Sequence, residues 1–323
     1  MVQGNLALVT GATGFIGSHL TEALVRAGAR VRAFVRSSSD RGLGNLDHIA
    51  GEVREAVELR FGDLRDLESL RRAVAGVDHV FHLGGLGSVP CSYLDPVAFV
   101  DVNVRGSAHV MQVCREVEVE SLVLMSTSEV YGTAERQDVL IEESHPLQPR
   151  SPYAGSKVAA EQLASSFTAS YGLPVTTVRS FNVYGPRQCE RNVVPTIMGQ
   201  AVDGETVRMG RLDSVRDYTY VVDVVDALLR LATQTRARGR TFNVGSGLGM
   251  RVTDLVALAG KLLDKELRVQ TDPSRVRPQA IEGDCLVASA DALRELTGWE
   301  QTVAIDEGLE KVLSWLARRP GGR

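Results

Sequence analysis

Two short stretches hold the residue types that can do chemistry. They are Ser126-Thr127-Ser128-Glu129-Val130-Tyr131-Gly132 and, after a loop, Tyr153-Ala154-Gly155-Ser156-Lys157. Tyr153 and Lys157 are four residues apart in a segment of helical period, so a helix stacks them one turn apart on one face. An ammonium beside a phenol favours the phenolate and draws a group of ordinary pKa about 10 towards neutrality. Such a pair can exchange a proton with a substrate hydroxyl while hydride leaves the carbon that bears it. Glu129 adds a carboxylate placed to act as a base. The plain structural alternatives are a first helical turn and a carboxylate bonding amides at a strand end.

The elements that must position these groups follow from the apolar pattern. Leu122-Val123-Leu124-Met125 reads as the end of a buried parallel strand that runs on into Ser126 and Thr127. Near the amino terminus, Asn5–Thr10 is a short apolar strand. Gly11-Ala12-Thr13-Gly14-Phe15-Ile16-Gly17 follows, then a helix to about Ala27. A GxxGxxG turn between strand and helix lets backbone approach a pyrophosphate at the helix amino terminus. It points to a nicotinamide dinucleotide held by Gly11, Thr13, Gly14, Phe15, Ile16 and Gly17. The next strand, Arg30–Arg36, ends without the acid that would accept from an adenosine ribose. Arg36 and Ser37 suit a 2′-phosphate instead, so NADP is favoured over NAD, with a solvated basic loop on an NAD protein as the alternative.

Asp63, closing the third strand, is placed either to meet adenine or to cap the helix after it. A fourth strand over 77–85 ends in Leu83-Gly84-Gly85, where backbone can again approach the cofactor. His79 and His82 on it read as structural. A long helix over about 94–117 carries Asn103, and Glu120–Met125 is the fifth strand. Strand and helix alternate throughout, which calls for an α/β fold with a doubly wound parallel Rossmann sheet. Its ligand edge lies at the carboxyl ends of the strands.

The chain has 323 residues, 44% hydrophobic and 24% charged, as expected of an ordinary soluble protein. A net charge of −4 argues against a nucleic-acid partner. Cys91, Cys114, Cys189 and Cys285 are scattered without metal-ligand spacing, so no metal site is expected and the thiols suit a cytoplasmic protein. No signal segment is evident, and the apolar stretches are short of a membrane span.

Taken together, GATGFIG at 11–17, Asp63-Leu64, His82-Leu83, STSEVYG at 126–132, YAGSK at 153–157, RSFNVYGPR at 179–187 and Arg216-Asp217-Tyr218 resemble the extended short-chain dehydrogenases/reductases acting on nucleotide sugars. The resemblance covers essentially the whole chain. It implies that Thr127, Tyr153 and Lys157 form a hydride-transfer triad around the sugar C4 hydroxyl. It adds Leu64, Leu83, Gly85 and Ser126 to the cofactor contacts, the cofactor being tightly bound. The Thr127-Ser128-Glu129 form looks most like the 4,6-dehydratases of deoxysugar pathways, with Ser128 and Glu129 completing the catalytic set. UDP-glucuronate decarboxylases share it, and a C4 or C5 epimerase is the third reading.

The resemblance also implies a dinucleotide domain over 1–180, rejoined by 219–247, and a smaller, discontinuous substrate lobe over 181–323. In that lobe Asn182, Arg187, Val194, Arg208, Arg216 and Arg277 are the expected contacts for the nucleotide diphosphate sugar. A homodimer is expected through a four-helix bundle built from the segments near 94–117 and 153–171.

Overall fold

In the computed structural model, residues 3–36, 42–132, 140–273 and 285–318 are described; Ser37 and Arg277 lie outside them. Seven strands form one parallel sheet: β1 (Leu6–Thr10), β2 (Arg30–Arg36), β3 (Val57–Gly62), β4 (His79–His82), β5 (Ser121–Thr127), β6 (Val175–Ser180) and, after three strands placed elsewhere, β10 (Thr241–Val244). Their order is β10-β6-β5-β4-β1-β2-β3, so the chain winds outward from β1 to one edge and then crosses to the other. That crossover is what a doubly wound sheet requires, and it opens the crevice where β1 and β4 part.

Alternation along the strands divides the core in two. Ala7, Val9, Phe81, Val123 and Val178 face a layer that includes Leu20, Leu24, Leu228 and Trp299. Leu6, Leu8, Val80, Leu122 and Leu124 face the opposite layer with Leu70, Val110, Met111 and Ala164. Each fully buried leucine of this kind stabilises the fold by roughly 1.5–3 kcal/mol relative to exposure. Trp299, fully buried, also donates its indole N–H to Asp223 O at 2.9 Å.

The remaining strands are β7 (Asn182–Tyr184), β8 (Thr206–Met209), β9 (Val215–Tyr220), β11 (Gly249–Arg251), β12 (Arg268–Thr271) and β13 (Cys285–Leu286). They make two small sheets, with β9 paired to β7, β11 and β13, and β12 to β8. A third core of Val194, Ile197, Val207, Leu255, Val256 and Leu309 lies beneath them.

One helix departs from expectation. The segment near 94–117 is broken into Val89–Leu94, Pro96–Phe99, a π-helical turn Val100–Arg105 and Gly106–Glu116. Asp95 causes the first break: its carboxylate accepts from Ala98 N at 3.1 Å and caps the turn that Pro96 opens. Among the described residues no helix is long and apolar enough to cross a membrane.

Candidate active site

The glycine-rich turn is shaped by contacts that leave no room for side chains. Gly11 has φ +73°, and a Cβ there would sit 2.8 Å from the Leu83–Gly84 backbone. A Cβ on Gly17 would press on the Gly11 carbonyl. Gly14 N donates to Gly11 O at 2.9 Å, and the helix Phe15–Arg26 starts with no side chain capping its first amides. A turn this closely wrapped, ending in open helix amides, fits a dinucleotide pyrophosphate. Thr13 O accepts from Asn45 N at 3.0 Å.

Across the crevice, Gly84 N donates to Thr10 Oγ1 at 3.0 Å. Asn103, in the π-helical turn, clamps the next residues: its Oδ1 accepts from Leu86 N at 2.7 Å and its Nδ2 donates to Leu86 O at 3.0 Å and Ser156 Oγ at 2.9 Å. Gly85 lies against this amide; a Cβ would come within 2.8 Å of Asn103 Oδ1. His82 is buried between Thr10 Oγ1 (2.7 Å) and Ser107 Oγ (2.9 Å), and burial pulls its pKa down to about 3. His79 bridges Asn5 and Ser121. Among the described residues no group of three or more potential ligands could hold a metal.

The helix Pro152–Tyr171 grips the end of β5 with three residues spaced one turn apart. Tyr153 is hydrogen-bonded to the Thr127 side chain, and Lys157 Nζ donates to Met125 O at 2.5 Å. Glu161 accepts from Ser126 Oγ. Thr127 Oγ1 in turn accepts from Glu129 N at 3.3 Å, starting the 3-10 turn Ser128–Tyr131. Glu129 lies near enough to Tyr153 for its charge to oppose the phenolate. Among the described residues no backbone amide holds the Glu129 carboxylate; the amide at this strand end is taken by Thr127. Ser128 is buried in the same turn.

The electrostatics correct one expectation. Burial pushes Tyr153 up to about 12, opposed by the Thr127 hydrogen bond, and Lys157 does not draw it towards neutrality. The reason is geometric: the ammonium is turned onto the Met125 carbonyl, and burial lowers Lys157 itself to about 8 against the nearby Glu161 charge.

Several of the expected contact residues also have partners within the protein. Arg65 grips Asp63 with two side-chain bonds, at 2.9 and 2.7 Å, and holds its carboxyl at about 2. Asp66 rather than Asp63 caps the following helix. Arg36, at the exposed end of β2, lies near enough to Asp63 to favour its charge. Leu64 O accepts from His109 Nδ1 at 3.0 Å. The Ser126 hydroxyl is spent on Glu161 inside the protein.

Arg187 is buried and its Nη2 pairs with Glu22 at 2.8 Å, while its Nη1 has no partner among the described residues. The Val194 side chain lies in the third core. Asn182 is half-buried on β7, and Arg208 is exposed on β8. Arg216 is buried beside Asp217, whose carboxylate gathers Ser246 N, Gly247 N and Ala288 N at 2.8–3.1 Å.

Sequence reasoning passed over Glu161, Arg179 and Asn243. The signal was present: 153, 157 and 161 continue one helix face, and Arg179 interrupts an apolar strand.

Residues 8–312 match the family model described as GDP-mannose 4,6 dehydratase. A dTDP-glucose 4,6-dehydratase of Streptomyces griseus is 34% identical over 95% of this chain and 93% of its own. The UDP-glucose 4-epimerase of Thermus thermophilus, solved with NAD, is 31% identical with a TM-score of 0.84, covering 96% of this chain and 98% of the other. That of Thermotoga maritima, solved with UDP-glucose, is 28% identical with a TM-score of 0.87, covering 97% and 99%. These relatives give no support to the preference for NADP drawn from Arg36 and Ser37.

Proposed function

The chain belongs to the NAD-dependent epimerase/dehydratase family of extended short-chain dehydrogenases/reductases, and from that premise we propose that it is a nucleotide-sugar 4,6-dehydratase using NAD. The relatives divide between dehydratases and 4-epimerases at about 30% identity. The observation that favours dehydration is Glu129, a carboxylate in the turn that follows β5, near enough to Tyr153 for its charge to act on the phenol. Epimerisation at C4 asks nothing of such a base, whereas elimination does.

In this reading Gly11, Gly14, Gly17 and the first amides after Gly14 hold the dinucleotide, and Gly84–Gly85 lie along it. When bound there, NAD would supply a hydride acceptor for C4 and, once reduced, the hydride donor for C6, with no net redox change. Tyr153 takes the proton of the C4 hydroxyl as the phenolate, a form that the positive charge of an oxidised nicotinamide would favour against burial, with Thr127 hydrogen-bonded to the phenol oxygen and Lys157 placed one turn below. The ketone at C4 acidifies C5, and Glu129 removes that proton. The C5–H electron pair forms the C5–C6 double bond as the C6–O bond breaks, and the departing hydroxide takes the proton Glu129 received. Hydride addition at C6 then returns an electron pair to C5, which takes a solvent-derived proton through Glu129, while Tyr153 releases its proton to solvent. Ser128 orients the C6 oxygen. Asn182, Arg208, Arg216 and Arg277 remain the proposed contacts of the nucleotide diphosphate sugar, from a lobe over 181–323. Exposed Leu94, Val97, Val100 and Tyr171 on the broken helix and the Pro152–Tyr171 helix support a homodimer through those segments.

The test is mass spectrometry after incubation with dTDP-glucose, UDP-glucose, GDP-mannose and UDP-glucuronate in deuterated water. Loss of water from a neutral hexose with deuterium at C5 supports the reading. Loss of carbon dioxide from UDP-glucuronate, or inversion at C4 without exchange at C5, overturns it.

A further inference from the structure

A row of polar side chains crosses three strands of the parallel sheet. In register, Ser126 of β5 lies beside Arg179 of β6, and Arg179 beside Asn243 of β10. Register partners in a parallel sheet share a face, so one helix and one turn can meet all three. Glu161 comes from the helix and pairs with Arg179 at 2.7 Å, both side chains buried. Tyr131 comes from the turn: its hydroxyl donates to Asn243 Oδ1 at 2.7 Å and accepts from Arg179 Nη1 at 2.9 Å. Arg179 Nη1 also donates to Glu143 O at 3.1 Å, and Glu143 Oε1 accepts from Asn243 N at 2.8 Å.

Tyr131 is the last residue of the 3-10 turn whose second residue is Glu129. Its ring is fully buried and its hydroxyl is bonded at both ends, so the turn has one fixed point at Thr127 and a second at Tyr131. We propose that Tyr131, anchored by Arg179 and Asn243, is a positioning residue that fixes the Ser128–Tyr131 turn and so aims Glu129 at the reacting carbon opposite Tyr153. The proposal rests on the dehydratase reading. Through Arg179 and Glu161 the same anchor reaches Ser126, so the arms of the site that carry Glu129 and the Tyr153 face share one buried ion pair.

The anchor is needed for the step Glu129 performs and not for the step at C4. The experiment compares wild type with Tyr131→Phe, which keeps the buried ring and removes only the hydroxyl. dTDP-glucose, UDP-glucose and GDP-mannose are the probes. Rapid-mixing absorbance follows cofactor reduction, and mass spectrometry in deuterated water follows exchange at C5. In Tyr131→Phe, reduction stays within about threefold of wild type while C5 exchange falls about tenfold or more, since small misplacements of a reacting group are costly. Arg179→Lys, which keeps a cation for Glu161 but shortens the reach to Tyr131, shows the same split and serves if the first variant does not fold. Equal loss of both steps, or no loss of either, overturns the positioning role while leaving the reading intact. Reduction in wild type with no C5 exchange overturns the reading and the role together.

Discussion

Arg187 reaches back from the carboxyl-terminal half to Glu22 on the helix that opens the cofactor turn, at 2.8 Å and with both side chains largely shielded. It does so from a backbone φ of +69°, and its Nη2 also bonds His19 Nδ1 at 2.6 Å. Arg187→Ala leaves Glu22 with Arg26 as its remaining ion-pair partner, and losing a hydrogen bond to a charged group costs about 1.5–3 kcal/mol. Thermal unfolding of the variant reads this as a marked drop in Tm. Replacing both partners, Arg187→Leu with Glu22→Leu, costs less than Arg187→Ala alone.

His19 and His82 are both held at about 3 by burial. Below pH 6.5 the unfolded chain takes up protons that the folded histidines refuse. Each therefore costs about 1.4 kcal/mol of stability for every pH unit below that value, down to its folded pKa. His82→Asn removes one proton from that balance, so its loss of Tm between pH 6.5 and 4 is shallower than wild type. Parallel slopes would count against the assignment.

Lys157 carries its charge only below about pH 8. If the ammonium serves the step at C4, kcat/KM falls above pH 8 and the limb belongs to Lys157. Glu161 is the charge that opposes its discharge, so Glu161→Gln moves the limb down by ~1 unit. A limb that stays in place in Glu161→Gln contradicts this.

Gly17 and Gly155 make a paired test. An alanine at 17 drives its Cβ into the Gly11 carbonyl, whereas at 155 it meets nothing within 4 Å. Gly17→Ala costs about 1–3 kcal/mol and weakens NAD binding, followed by fluorescence titration, about tenfold or more. Gly155→Ala, between Tyr153 and Lys157 on a helix, stabilises by about 0.5–1 kcal/mol.

The parallel sheet was legible because its signals are local: apolar strands, helical periods between them, and glycines at turns. The helix face of Tyr153 and Lys157 follows from spacing alone. What spacing does not convey is the direction of a long side chain. Arg187 and Asp63 have the types for ligand contacts, yet each has a protein partner, Glu22 and Arg65, that no pattern pairs with it. The Lys157 ammonium has three donors and turned to a carbonyl that sequence does not display. Arg179, Glu161, Tyr131 and Asn243 were each visible, but only strand register brings them into one row.

The π-helical turn at Val100–Arg105 holds one residue more per turn than the helix that follows it. Asn103 owes its bearing on Leu86 and Ser156 to that surplus. Excising a single residue there would restore regular pitch while swinging Asn103 about 100° around the axis. Every group in the clamp would survive, and the clamp would not: the hold of residue 103 on Leu86 and Ser156 is encoded in helical phase as much as in the identity of an asparagine.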